Sequence, residues 1–256
     1  MEINQAFAIL CSASDAHVAR IITEHFGTMS RFAVWRAARA LQRGVPVAKI
    51  IHEKWFYGIP FYTDKYTLDP RPDTETLVES VLRDWRDVKN IRILDLGVGT
   101  GCIIISLLWT LVGASGIGVD ISRGALRAAH KNIRKMGLCS RLNLVRGTFG
   151  RPNLAGEQFD VIVSNPPYIA RGDLRVNTGA HFDPDIALYA ENDGLGAYME
   201  IAQHAQTYIK RSGRIYVEIG AGMSRAVRSI FTGAGWRFVR ADKDLSGQIR
   251  VLVFSL

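Results

Sequence analysis

The chain has 256 residues, 48% of them hydrophobic, and a formal net charge of +8 from 32 Lys and Arg against 24 Asp and Glu. That length and apolar content bury one full core plus a small extra domain, and no uninterrupted apolar stretch reaches the roughly 18 residues of a membrane span. Positive charge followed by a compact hydrophobic run is missing at the N-terminus, and Cys11, Cys102 and Cys139 are without paired spacing, so a secretory signal, a disulfide framework and a zinc site are all disfavoured and a soluble cytoplasmic protein is expected.

Residues 14–44 carry apolar side chains at helical spacing (Val18, Ile21, Ile22, Phe26, then Phe32, Trp35, Ala38, Leu41), broken at Gly27. This predicts two short helices packed as a hairpin and closed by Gly44-Val45-Pro46, with Arg36, Arg39 and Arg43 on one face. Residues 55–62, Trp55-Phe56-Tyr57-Gly58-Ile59-Pro60-Phe61-Tyr62, read as a β-hairpin whose aromatics join a small N-terminal domain, 1–65, to a larger one, 66–256. From Asp73 onward helix and strand alternate. A helix is predicted over 73–87 with Asp73 as its cap, then strands near 91–96, 115–120, 141–146, 159–164, 212–219, 236–240 and 248–255. The pattern means an α/β fold, a doubly wound seven-stranded sheet that is mainly parallel, with an antiparallel last strand entered by a short connection.

Two loops at strand ends carry the chemistry. The strand Ile91 to Leu96 runs into Gly97-Val98-Gly99-Thr100-Gly101 and then the apolar helix Cys102 to Leu111. Glycine lets backbone approach a ligand closely, and the helix start offers free N–H groups. The third glycine of a dinucleotide fingerprint would fall at Cys102, which disfavours a nicotinamide cofactor. The next strand ends in Asp120, where a carboxylate can accept both hydroxyls of a ribose, so a nucleoside-bearing cofactor fits; tight packing alone can also demand glycine in such a turn.

The second loop is Ser164-Asn165-Pro166-Pro167-Tyr168, directly after the apolar run Phe159 to Val163. Two successive prolines hold the Asn165 and Pro166 carbonyls in a nearly rigid loop. An amide oxygen beside a backbone carbonyl gives two acceptors, matching the two donors of an NH2 group, and Tyr168 supplies a flat face. The loop reads as an amino-group clamp or as a Pro-rich turn ending a strand, and the glycine loop with Asp120 favours the clamp. The basic charge suits an acidic partner but is diffuse, and Arg123, Arg127, Lys131, Arg134 and Lys135 fall on an ordinary solvated helix face.

These residues resemble the class I S-adenosylmethionine-dependent methyltransferases that act on exocyclic or amide nitrogens. Pro70-Arg71-Pro72-Asp73-Thr74-Glu75, Phe182-Asp183-Pro184, Asp193-Gly194-Leu195, Glu218-Ile219-Gly220 and Asp244 to Arg250 are similar to segments of the peptide chain release factor glutamine methyltransferases. The resemblance runs from about residue 13 to the C-terminus and is most specific at Pro70 to Glu75 and Asn165 to Tyr168. The chain departs from it at His52, Asp69 and Phe182, where glycine, an apolar residue and tyrosine are usual.

The resemblance implies a class I methyltransferase fold, S-adenosylmethionine as cofactor, no metal, and methyl transfer to a glutamine side-chain nitrogen of a release factor. It implies the methionine end of the cofactor over Gly97, Val98, Gly99, Thr100 and Gly101, near Thr74, Glu75 and Asn165, with the ribose on Asp120. Phe149 is expected to cover the adenine or to be a core aromatic at a strand end. Asn165, Pro166 and Tyr168 are the expected catalytic residues, with Pro167 completing the substrate loop. Residues 1–65 are expected to dock the release factor, in a monomer that does not bind nucleic acid directly. The alternative is a nucleic-acid amino methyltransferase using the same clamp on a flipped base, although residues 1–65 carry no evident helix-turn-helix, zinc pattern or aromatic-basic strand. A non-catalytic cofactor-binding scaffold is disfavoured by Asn165, both prolines and Tyr168 occurring together.

Overall fold

The computed structural model describes residues 1–154, 156–172 and 181–256. It begins with four helices, α1 (Ile3–Ala13), α2 (Ala16–Phe26), α3 (Arg31–Gln42) and α4 (Val47–Ile51). The expected hairpin is α2 and α3, each started by a side-chain cap: Asp15 accepts from Val18 N–H at 2.9 Å and Ser30 from Ala33 N–H at 3.1 Å. The unforeseen α1 has no side-chain cap, so its start carries no local signal.

The buried face of this part differs from the expected one. Leu10, Ala19, Ile22, Val34 and Ala37 form its core, while Phe32 and Trp35 are 65% and 53% exposed. Those two rings stack on each other at 6.1 Å and are covered by the guanidinium groups of Arg36 and Arg39, at 5.9 and 5.3 Å. An aromatic roofed by arginine keeps apolar contact without entering the core.

The aromatic hairpin forms as β1 (Glu53–Phe56) and β2 (Ile59–Tyr62). Its turn residues Tyr57 and Gly58 both have positive φ, +50° and +71°. Phe56, Ile59 and Phe61 bury in the core beside the large sheet, while Trp55 stays exposed. His52, just before the hairpin, stands in the left-handed region at φ +57°, which accounts for glycine being usual there.

The large sheet contains β3 (Arg92–Leu96), β4 (Ser115–Asp120), β5 (Leu142–Arg146), β6 (Phe159–Ser164), β9 (Ile209–Glu218), β10 (Arg237–Lys243) and β11 (Ile249–Ser255). Its order is β10-β11-β9-β6-β3-β4-β5, parallel except that β11 runs antiparallel to both its neighbours. A further two-residue pair, β7 (Ile169–Ala170) and β8 (Tyr189–Ala190), was not expected, being too short for any periodicity.

One face of the sheet packs on α5 (Glu75–Trp85), α6 (Cys102–Thr110) and α7 (Arg123–Lys135), through Leu77, Val81, Ile104 and Ile133 against Ile93, Val161 and Tyr216. The other packs on α9 (Gly196–His204) and α10 (Ser224–Gly233), through Ile201 and Phe231 against Leu94, Ile162 and Leu252. The short α8 (Asp185–Leu188) lies between β7 and β8 in the chain. Asp73 does not cap α5. The helix is entered from a 3-10 turn, Pro72–Thr74, and Asp73 is drawn instead to Arg250 of β11 at 2.9 Å.

Successive strands from β3 step outward to β5, and β6 then returns to the other flank of β3. This is a topological switch point, and open α/β sheets bind their ligands outside the carboxyl ends of the strands that flank one. The turns after β3, β4 and β6 converge there.

Candidate active site

The turn after β3 is built from glycine because of its backbone angles: Gly97, Gly99 and Gly101 have φ of +82°, +54° and +82°. The N–H groups of Gly97 and Val98 both donate to the Val119 carbonyl at 2.9 Å, which ties the turn to the end of β4. Asp120 then accepts from Gly99 N–H at 2.9 Å and from Ser122 N–H at 2.8 Å, one on each carboxyl oxygen. Two backbone donors therefore aim the carboxylate and leave lone pairs on both oxygens for hydroxyl groups. Burial raises the pKa of Asp120, against the lowering effect of the Ser122 and Gly99 amides.

A cavity of about 440 Å³ opens over this turn, of a size for a small-molecule ligand. Gly97, Val98, Gly99, Thr100, Asp120 and Phe149 line it, together with Thr74, Asn165 and Pro167. The Phe149 ring lies against the turn, 3.3 Å from where a β-carbon at Gly97 would sit. Gly101 is placed differently from its neighbours: a β-carbon there would meet Ile105 at 2.9 Å, so this glycine serves close packing beneath α6 and lies off the cavity wall. Glu75 also turns away, its carboxylate accepting Tyr57 N–H of the hairpin at 2.8 Å.

At the end of β6, the Asn165 Nδ2 donates to the Thr74 hydroxyl at 3.1 Å. The opposite side of the amide, Oδ1, is thereby left for a ligand. Pro166 is buried and Pro167 partly exposed toward the cavity. The Tyr168 ring lies against Gly220, where a β-carbon would come within 2.9 Å of it, rather than on the cavity wall. Burial, with the charge of Glu218 adding to it, pushes the Tyr168 phenol up to about 12.

Two acids that the sequence reading does not single out sit behind these loops. Asp95 is completely buried in β3, and among the described residues no group stands within hydrogen-bond geometry of either carboxyl oxygen. Burial pushes it up to about 7, Asp120 adding to the shift and the Ile104 amide opposing it. Glu218 ends β9, and burial pushes it up to about 7 as well, against hydrogen bonding from Thr74, the charge of Arg250 and hydrogen bonding from Asn165. The signal for both is a single acid inside an apolar strand, Ile93-Leu94-Asp95-Leu96 and Tyr216-Val217-Glu218-Ile219. Cys102, at the start of α6, is pushed up to about 12 by burial and stays a neutral thiol.

The hairpin is wired to the glycine turn. Asn132 of α7, 1% exposed, donates to the Thr100 carbonyl at 2.8 Å and exchanges two hydrogen bonds with the Tyr62 backbone, at 2.7 and 3.1 Å. A second groove lies where the N-terminal helices meet the loop after β2, lined by Arg36, Arg43, His52, Tyr62, Lys65 and Phe182 among others. Arg39 is absent from its wall, being stacked on Trp35. Beneath the groove the buried Lys49 pairs with Asp69 at 2.8 Å and Asp183 at 2.9 Å. The three departures from the resemblance thus meet in one place: His52 and Phe182 line the groove and Asp69 neutralises the lysine under it.

Among the described residues, no cluster of His, Cys, Asp and Glu could hold a metal ion, and no helix is long and apolar enough to cross a membrane.

The sheet order with its reversed β11, the glycine turn and Asp120 at the switch point define a class I methyltransferase. A family model for a methyltransferase domain matches residues 93–176. The fold is shared with a solved methyltransferase of Pyrococcus furiosus, at a TM-score of 0.58 and 14% identity over 78% of this chain and 89% of that one. A release factor glutamine methyltransferase of Agrobacterium fabrum is 40% identical over 86% of this chain and 78% of its own length. A bifunctional methyltransferase of Rickettsia felis is 38% identical over 82% of this chain, which spans 45% of that longer protein. The chain belongs to the release factor glutamine methyltransferase family.

Proposed function

We infer that this protein transfers a methyl group from S-adenosylmethionine to the side-chain amide nitrogen of a glutamine in peptide chain release factors. The observation that carries the reading is the Asn165 amide: its nitrogen is committed to Thr74, so its oxygen is the atom left beside the Pro166 carbonyl for an incoming NH2 group. The names of the relatives do not favour the nucleic-acid alternative.

The cavity residues fit the cofactor. A β-carbon at Gly99 would meet only the Gly97 carbonyl, at 3.9 Å, so the turn presents bare backbone to whatever lies over it, and Asp120 keeps free lone pairs for ribose hydroxyls. Gly97, Val98, Gly99 and Thr100 would hold the methionine end, with Thr74 nearby, and Phe149 would cover the adenine. When bound, S-adenosylmethionine supplies an electrophilic methyl group on a sulfonium centre.

The residues of the chain act on the acceptor. An amide nitrogen is a weak nucleophile because its lone pair is delocalised into the carbonyl. Asn165 Oδ1 and the Pro166 carbonyl each accept one of its hydrogens, which fixes the nitrogen in place and favours the positive charge that develops on it. The methylated nitrogen is acidic enough to lose its proton afterwards, so the clamp needs no strong base. Neither donor nor clamp calls for a metal.

One glutamine side chain offers too little surface to be chosen among many, so a second contact must select the protein. The groove bearing Arg36, Arg43 and Lys65 is well suited to dock an acidic surface of the release factor, with residues 1–65 as the docking domain. The test is to incubate the protein with methyl-labelled S-adenosylmethionine and, separately, release factor, bulk RNA and DNA. Label is expected on the glutamine of release factor alone, and label on nucleic acid with none on release factor would overturn the reading.

A further inference from the structure

Glu218 is the natural neighbour of the clamp in space, though far from it in sequence. Ser164, the last residue of β6, pairs with Val217 of β9, so Asn165 leaves the strand next to Glu218, the last residue of β9. Glu218 shares the sheet face of Tyr216, beneath the turn that carries Thr74, and is only 2% exposed. One of its carboxyl oxygens, Oε2, has no hydrogen-bond partner among the described residues. Burying an acid this way is costly.

Thr74 connects the two. Its hydroxyl has one proton to give, and because the oxygen already accepts from Asn165 Nδ2, that proton is free for the Glu218 carboxylate, whose charged form both the Thr74 hydroxyl and the Asn165 amide favour. A hydroxyl can relay hydrogen bonds in either direction. A carboxylate can only accept, so it sets the direction: Asn165 donates to Thr74 and Thr74 donates to Glu218. A protonated carboxyl can donate to Thr74 instead. The hydroxyl then donates to Asn165, whose amide turns its oxygen inward and presents NH2 to the NH2 of the acceptor, donor against donor.

We propose that Glu218 is a positioning residue: its carboxylate, acting on the Asn165 NH2 directly and through the Thr74 hydroxyl, holds the Asn165 amide with its oxygen toward the methyl acceptor. The proposal rests on the amide-acceptor reading above. Its charge is open to titration, because burial pushes Glu218 up to about 7. Arg250 of β11 favours the charged form and is itself paired with Asp73 at 2.9 Å and Asp244 at 3.0 Å, while the Asp73 charge opposes it. Cys102 of α6, Tyr168 and Tyr198 of α9 surround it as neutral groups, each with a raised pKa. The Tyr198 hydroxyl is spent on the Glu218 backbone carbonyl at 2.8 Å.

The experiment compares wild type, Glu218→Gln and Thr74→Val. Turnover of the wild type should fall as pH drops through about 7, the sign expected when the charged form is active. Glutamine can run the relay either way, so Glu218→Gln should lose about tenfold or more in kcat at about pH 8 and show no acidic limb, with KM for release factor and affinity for S-adenosylhomocysteine within about twofold. Thr74→Val removes the hydroxyl link and leaves the direct one, so it should lose less in kcat than Glu218→Gln and keep an acidic limb. Independently of any substrate, the side-chain amide NMR signals of Asn165, assigned by their loss in Asn165→Asp, should move with a midpoint near 7 in the wild type and stay flat in Glu218→Gln. Wild-type kcat or a retained acidic limb in Glu218→Gln would overturn the proposal, as would Asn165 signals indifferent to pH in the wild type or cofactor affinity falling in step with kcat. A wild type that leaves release factor unlabelled would remove the functional reading instead, and the NMR comparison would still decide the role of Glu218.

Discussion

Asp95→Asn tests how the sheet tolerates an acid in its centre, and the size of the effect follows from burial. The carboxyl is raised from 3.8 to about 7, some three pKa units at ~1.4 kcal/mol each, so ionising it in the folded chain costs ~4 kcal/mol. The folded protein binds this proton more tightly than the unfolded chain does. The contribution to stability is therefore complete below about pH 4, shrinks by ~1.4 kcal/mol per unit as pH rises, and is gone above about pH 7. Asparagine has nearly the same shape and no such titration.

The quantity to measure is the difference in unfolding free energy between Asp95→Asn and wild type, from urea titrations at several values between about pH 4 and about pH 8. Taking the difference cancels every other titrating group and whatever fixed cost the new amide carries. It should move in favour of the variant by ~4 kcal/mol across the range, almost all of it between the two pKa values. A difference that stays flat would mean that Asp95 is hydrated or partnered in solution and that burial does not set its charge.

Asn165→Ala should lower kcat about a hundredfold with S-adenosylhomocysteine affinity by calorimetry unchanged, because only the oriented acceptor is lost; full turnover would remove the clamp. Asp120→Ala should weaken S-adenosylmethionine and S-adenosylhomocysteine by the same factor, since the ribose is the same in both and its contacts are uniform binding. Unequal losses, or none, would mean that the ribose lies elsewhere. Charge reversal at Arg36 and Arg43 together should raise KM for intact release factor severalfold with kcat nearly constant, whereas Arg39→Glu, off the groove, should leave KM alone; equal KM for all three proteins would rule out docking in the groove.

The sheet was legible because a parallel strand buried on both faces is an apolar run bounded by turn residues, as in β3 and β6, while the half-buried edge strands β5 and β10 stood out only as short segments between turns. The antiparallel β11 followed from its short connection. Of the N-terminal helices, α2 and α3 were legible in position but not in orientation. Periodicity ranks Phe32 and Trp35 above Val34 and Ala37 for the inner face, and nothing local says that Arg36 and Arg39 will roof the larger rings so that the small side chains pack inward. Asp73 misled for a related reason: a cap is a local inference, and a charge partner 177 positions along the chain outweighed it.

The cofactor turn and the clamp were legible because each is written in consecutive residues whose backbone limits, glycine in one and proline in the other, are intrinsic. What orients the clamp is not consecutive. Thr74 lies 91 residues before Asn165, and Glu218 reaches the site only because the sheet order sets β9 beside β6. An isolated acid in an apolar strand announces that something opposes its burial, yet what opposes it depends on which strands pair and which turn covers them. Reading such an acid as a question about the neighbouring loop, rather than as a flaw in the strand, is what links Glu218 to the chemistry at Asn165.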